Sequence, residues 1–258
     1  MPLNNSKWIK FIMFTHQIQY HKTLNPKIWL PDNTMDPLVR RTIAAIAMDF
    51  IDYMHAIGFQ IKRKDILDIV IYGSNANYFY DKNSDIDVYI LADLDAMQEK
   101  YKDIDFFTLY KSLMHTWRRQ FRLHIRGLQI DLSLENVNKP KHAPGWWRSG
   151  PAYSIIHNKW IHELVRLNEK TLREYRRIAR QHVHEVLCQA RKLIASGGRL
   201  DEFVRLQQKL RDDAMRANCP QPLIPETMAY KMLRGSGLFR QLLLKSSRRR
   251  AVAQFKLD

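Results

Sequence analysis

The chain is poor in cysteine, has no long apolar run, and lacks the glycine-rich signatures of the commonest phosphate-binding turns. Its 258 residues include two cysteines, Cys188 and Cys219, without C-x-x-C spacing. That argues against a disulfide framework or a zinc ribbon and predicts reduced thiols. No apolar stretch reaches the roughly 20 residues a membrane helix needs, and "WIKFIMF" (Trp8 to Phe14) is too short. The start shows no apolar signal core followed by a small-residue cleavage site, so a cytoplasmic location without membrane contact is expected. Ten histidines form no ligand cluster; His182 and His184, two apart on a predicted helix, face different ways. Neither GxxxxGK[ST] nor GxGxxG occurs, which removes support for Walker and Rossmann readings. Internal repeats and low-complexity tracts are also missing.

Positive charge is abundant. Lys and Arg number 42 against 26 Asp and Glu, a net charge of +16. From Trp160 to Asp258 there are 21 basic residues against 10 acidic ones, so most of the excess lies in the C-terminal part. Arg173, Arg176, Arg177 and Arg180 recur at three- and four-residue spacing and make one helical stripe, a candidate surface for nucleic acid. Arg248, Arg249 and Arg250 add a basic cluster near the end. A solvated helix face would look the same in sequence.

The segment "IYGSNANYFYDKNSDIDVYI", Ile71 to Ile90, carries the chemistry. On a strand, side chains two apart share a face, so Ile86, Val88 and Ile90 point to a core while Asp85 and Asp87 emerge together. Two carboxylates this close repel unless a cation lies between them or one takes a proton. Hard oxygen ligands suit Mg²⁺, commonly held by one or two carboxylates plus substrate phosphates. A strand from Leu67 to Tyr72 runs into Gly73-Ser74, where backbone amides and the Ser74 hydroxyl can bind phosphate oxygens. Farther on, Leu128 to Glu135 alternates, with Gln129, Asp131, Ser133 and Glu135 on one face. Asp131 is the candidate third carboxylate, and Glu135 is its nearest rival. If this strand lies beside the Asp85/Asp87 strand, two Mg²⁺ or Mn²⁺ ions could clamp an in-line phosphoryl displacement.

The periodicity predicts an α+β fold. An arm to Asp36 precedes a helix over Pro37 to Ile57, opened by Asp36-Pro37 and closed at Gly58. Two strands, a helix from about Asp105 to Phe121 and the Asp131 strand follow, giving a palm-like short mixed sheet flanked by helices. Pro140 to Pro151 reads as a boundary loop. The expected organisation is therefore a catalytic domain with its arm over 1–150 and a basic helical domain over 151–258, helical from Asn158 onward. Trp146 and Trp147 in the loop are either a base-stacking pair or an interface plug.

Gly-Ser, a short variable stretch, Ser-Asp-Ile-Asp-Val and a later acidic strand together resemble the DNA polymerase β nucleotidyltransferase superfamily, its minimal members most. "LNPKIW", "GSNANY", "YSIIHNKWI" and "YKMLRGSG" resemble segments of nucleotidyltransferase-like proteins encoded by tailed bacteriophages, which would place the chain in host cytoplasm. The resemblance implies that Gly73 and Ser74 hold the β and γ phosphates of a nucleoside triphosphate, ATP or CTP foremost, with Asn75 and Asn77 of the same turn among the nucleotide contacts. It implies that Asp85 and Asp87 bind both metals, and that Asp131 binds the one nearer the nucleophile and helps deprotonate it. Tyr153 and Ser154, within the phage-like motif, are either further nucleotide contacts or hinge packing. Many minimal members have arginine and glycine where this chain has Asn77 and Tyr78. The expected activity is transfer of a nucleoside monophosphate to a hydroxyl, an RNA 3′ end such as that of tRNA, with release of pyrophosphate. Alternatives are a protein or small-molecule hydroxyl, or a degenerate fold serving as a nucleic-acid-binding or virion component.

Overall fold

The computed structural model describes residues 18–59, 61, 63–138, 150–196, 202, 205, 209 and 224–235. They divide into two compact units, Gln19–Arg166 and the helices that follow Leu167. The fold class is α+β, as expected: a six-stranded mixed sheet with flanking helices, then helices alone.

In the first unit the described part of the arm is built into the core, with Leu24, Ile28, Trp29 and Met35 buried. Asp36 then starts helix α1 (Pro37–Ala56), its carboxylate accepting from the Leu38 and Val39 amides. Proline next to the cap suits a position whose N–H would have no helical partner. Val39, Ile43, Ile46, Ala47, Phe50, Ile51 and Met54 are the buried side of this helix, an apolar stripe at helical spacing.

Strand β1 (Ile66–Tyr72) pairs antiparallel with β2 (Ile86–Ala92). Helix α2 (Leu94–Lys100) and helix α3 (Phe106–Phe121) form the crossover to β3 (His124–Ile125) and β4 (Leu128–Asn136). Asp105 caps α3 by accepting from Thr108 N at 3.0 Å. Strand β4 returns parallel to β2, and two further strands, β5 (Ala152–Ser154) and β6 (Lys159–His162), complete the order β3-β4-β2-β1-β5-β6. One sheet face supplies Ile69, Ile71, Ile86, Val88, Ile90, Ile130, Leu132 and Leu134 to a core shared with α1 and α3. The opposite face carries a smaller apolar group of Val70, Tyr72, Leu91 and Ala152, with Tyr89 packed against it.

The C-terminal half departs from the expectation of helix from Asn158. "YSIIHNKWI" is a β-hairpin, turned by Asn158 at φ 53° and by Ser154 Oγ accepting from His157 N at 2.9 Å. Its aromatics explain the choice: Tyr153 and Trp160 pack edge to face, and Trp160 stacks on Trp29 with ring centroids 4.7 Å apart. Burial of those rings outweighs any local helical bias. These strands lie beyond residue 150, where the sequence suggested a domain boundary. Helix begins at Glu169 instead, after Asn168 Oδ1 accepts from Thr171 N at 2.8 Å. Helix α4 (Glu169–Ala195) buries Leu172, Ala179, Val183, Val186, Leu187 and Ala190, and helix α5 (Pro225–Gly235) buries Met228, Ala229, Met232 and Leu233. Of the helical stretch expected after Asn158, residues 197–223 lie outside the described residues apart from Glu202, Arg205 and Lys209, which are helical. Trp146, Trp147, Cys219 and Arg248 to Arg250 also lie outside them. No helix among the described residues is long and apolar enough to cross a membrane.

Candidate active site

Strand register brings the acidic residues together. Asp87 of β2 lies opposite Tyr72 of β1 on one side and Asp131 of β4 on the other. Asp85, two residues earlier, projects to the same face. One carboxylate oxygen from each of Asp85, Asp87 and Asp131 lies within 4.8 Å of the others, and all three residues are half-buried. Among the described residues this is the one group of three or more His, Cys, Asp or Glu side chains with such geometry. Glu135 shares the face but pairs with Leu91, four residues farther along β4, about 13 Å away at strand rise. Asp131, not Glu135, completes the group.

Gly73 closes one side of it. Its φ of 88° and ψ of −156° lie in a region that effectively only glycine occupies. A Cβ there would overlap Asp87 Oδ2 and stand 2.9 Å from Asp87 Cγ. The backbone at Gly73 is thus packed directly against a candidate ligand, and the next residues, Ser74–Ala76, form a single 3-10 turn.

Asn75 holds that turn to the strand carrying the carboxylates. It is fully buried. Its Nδ2 donates to the carbonyls of Ser84 at 3.2 Å and Asp85 at 2.8 Å, while its Oδ1 accepts from Asn25 Nδ2 at 2.7 Å. Its own carbonyl accepts from Trp29 Nε1 at 2.6 Å. Both polar atoms of the side chain are engaged within the fold, so Asn75 clamps the turn to the strand. Asn77 is also buried; its Oδ1 accepts from Tyr78 N at 2.7 Å, and its Nδ2 has no hydrogen-bond partner among the described residues.

Tyr153 and Ser154 are not brought to the carboxylates. Tyr153 pairs with Ile71 and therefore faces the main core; it is buried, with its hydroxyl 2.9 Å from Asn158 Oδ1. Ser154 lies on the acidic side of the sheet, but on a strand separated from β2 by β1, and its hydroxyl donates to Asp68 Oδ1 at 2.8 Å. Arg173, Arg176, Arg177 and Arg180 all fall on α4, in the other unit. Arg177 donates to both carboxylate oxygens of Glu174, at 2.7 and 3.1 Å.

Two residues escaped the sequence reading. Arg118, near the end of α3, forms an ion pair with Asp131 and is itself half-buried; burial lowers its pKa while Tyr89 nearby opposes that. The cue was a charged residue one position after Trp117 on the core edge of a helix leading to the acidic strand. Tyr89 occupies the row behind Asp87. Burial raises its hydroxyl pKa well above the ordinary range, and Asp87, Glu135 and Asp85 push the same way. Tyr72 is raised too, by burial first and then by Tyr89 and Asp87. Both phenols therefore stay protonated at neutral pH and can act as donors but not as bases.

Three hard oxygen donors on one face, with a glycine backbone against the middle one, fit Mg²⁺ or Mn²⁺ better than a soft-ligand metal. No curated protein and no solved structure matches the chain. Residues 59–144, which contain Gly73, Ser74, Arg118 and all three carboxylates, match the family model described as the nucleotidyltransferase domain.

Proposed function

We propose that the protein transfers a nucleoside monophosphate from a nucleoside triphosphate to a hydroxyl at an RNA 3′ end, releasing pyrophosphate. The observation that carries this is the convergence of Asp85, Asp87 and Asp131 beside the Gly73–Ser74 turn, inside the segment matched by the nucleotidyltransferase family. The likeness of four segments to phage-encoded proteins fits a host-cytoplasmic role in RNA end processing, with tRNA as one such acceptor.

In this reading Gly73 N–H and Ser74 bind the β and γ phosphates, and Asp85, Asp87 and Asp131 would together hold two divalent ions. Those ions supply charge neutralisation on the phosphates and a lowered acceptor pKa. Asp131 takes the proton from the acceptor hydroxyl. The acceptor oxygen then bonds to the α phosphorus as the bond from that phosphorus to the bridging oxygen of the β phosphate breaks. Tyr89, neutral and buried behind Asp87, keeps water from the rear of the carboxylates.

The test is incubation with each α-labelled triphosphate, Mg²⁺ or Mn²⁺, and fractionated RNA and protein. Label in RNA is expected; label confined to protein or to small molecules would replace the acceptor. Asp131→Asn is expected to retain triphosphate binding and to lose about 10²- to 10⁴-fold in rate, the usual cost of removing a general base. Full-speed transfer by that variant would move the base elsewhere.

A further inference from the structure

Helix α3 carries a basic surface that the described geometry connects to the carboxylates through Arg118. From Phe106 to Ile130 the sequence contains no acidic residue, and the first to follow is Asp131. Within that run Lys111, His115, Arg118 and Arg122 succeed one another at spacings of four, three and four, with Arg119 beside them. Lys111, His115 and Arg118 thus make one longitudinal stripe of the helix, with Arg119 beside it and Arg122 at the C-cap, φ 40°, just past the last helical residue. The buried side of the same helix, Phe106, Tyr110, Met114 and Trp117, is turned into the core, which leaves the stripe to solvent. Lys111, His115, Arg119 and Arg122 are all exposed.

Apart from Arg118, the stripe has no ion-pair partner among the described residues. Ion pairs among the described residues engage Arg118 with Asp131 and Arg126 with Asp36, but none engages Lys111, Arg119 or Arg122. Helix α4 differs, because Glu174 already holds Arg177 there. At the carboxylate end of α3, Phe121 is 47% exposed with its ring 5.3 Å from that of Trp117. Unpaired cations along one exposed surface bind single strands through their phosphates, and Phe121 continues the Met114–Trp117 side of the helix next to that surface. Lys111 and Arg122 are about 16 Å apart along the helix, enough for a few nucleotides.

We infer that the exposed stripe of α3 is the track for a single-stranded polynucleotide acceptor, whose phosphates lie along Lys111, Arg119 and Arg122 and whose 3′ terminus approaches Asp131 at Arg118. This rests on the transferase reading above and names the surface that would deliver its acceptor. It also moves the principal nucleic-acid contact into the unit that holds the carboxylates.

The test uses the full chain, a short 5′-fluorescein oligouridylate and the matching oligothymidylate, with anisotropy measured across a salt series. The variant Lys111→Gln/Arg119→Gln/Arg122→Gln is expected to weaken binding and to flatten the log-log salt slope by about 0.7 per lost contact, about 2 in all. Circular dichroism should be unchanged, since these side chains are exposed. Arg119→Lys/Arg122→Lys should keep the slope, because phosphate contacts by point charges survive the exchange. An unchanged slope in the triple glutamine variant overturns the track. So does equal competition by polyglutamate, which would mark a generic polyanion or acidic-protein surface. Calorimetric binding of a non-hydrolysable triphosphate with Mg²⁺ should be the same in the triple variant as in the unmodified protein. Its absence from the unmodified protein would count against the transferase reading while leaving the oligonucleotide result to decide the track.

Discussion

Gly73→Ala adds one methyl group to the most confined backbone position of the candidate site. The dihedral strain alone is worth about 1–3 kcal/mol, and the new Cβ cannot coexist with Asp87 where it stands. The expected outcome is a measurable fall in urea midpoint and loss of triphosphate binding by calorimetry. Arg118→Gln tests a different balance. The guanidinium shares Asp131 with any cation that binds there, so its removal should tighten Mn²⁺ binding about two- to fivefold, the equivalent of an ordinary part-exposed ion pair. The same variant should be less stable in EDTA, because Asp131 loses its guanidinium partner next to two further carboxylates. Fluorescence or calorimetric Mn²⁺ titration checks the first effect, and thermal melting in chelator checks the second. Asp85, Asp87 and Asp131 were legible in the sequence because strand alternation exposes carboxylates at fixed period. Arg118 was not, because the pairing depends on where a helix end meets a strand 13 positions later.

Among the elements, the turn after β1 depends on Asn75. Asn75→Ala would leave Asn25 Nδ2 and the carbonyls of Ser84 and Asp85 without their partner in a buried place. Unmet buried groups cost about 1–3 kcal/mol, so chemical denaturation should show a loss of that order. Trp29 still reaches the backbone carbonyl of residue 75, so the arm should stay seated while the approach to β2 loosens. Transfer would then fall further than fold stability implies. Helices α1 and α3 and strands β1, β2 and β4 were readable because caps and periodicities agree locally: Asp36-Pro37 opens α1, Asp105 opens α3, and β2 and β4 alternate; the short α2 and the two-residue β3 carry too few periods to be read. The hairpin over 152–162 was not readable, because its strands are short and owe their place to rings contributed from elsewhere in the chain, Trp29 above all. For the same reason the sequence left Tyr153 between nucleotide contact and packing, since nothing in its neighbours tells which sheet face it meets.

At the scale of the whole molecule, a net charge of +16 predicts strongly salt-dependent association with polynucleotides. Two basic surfaces can contribute, one on α3 and one on α4. Arg173→Gln/Arg177→Gln should lower the salt slope by at most about 1.4, and by less if Arg177 remains with Glu174. Combining this pair with the α3 triple variant separates the possibilities: additive slopes mean that each surface binds polynucleotide, whereas no further change means that α4 is solvated surface. The concentration of charge in the C-terminal part was plain from composition. Its partition between paired and unpaired arginines was not, because that depends on which glutamates share a helix face.

Arg166, the last residue of the first unit, donates to the carbonyl of Lys22 and lies over the Tyr78 ring at 5.2 Å. The chain therefore leaves this unit close to where it enters. Adjacent entry and exit are what circular permutation requires. Residues near 19 and 166 could be bridged by a short linker and new termini opened at the exposed turn of Asp81 to Asn83, giving a rearranged gene product with the same strand order and the same three carboxylates.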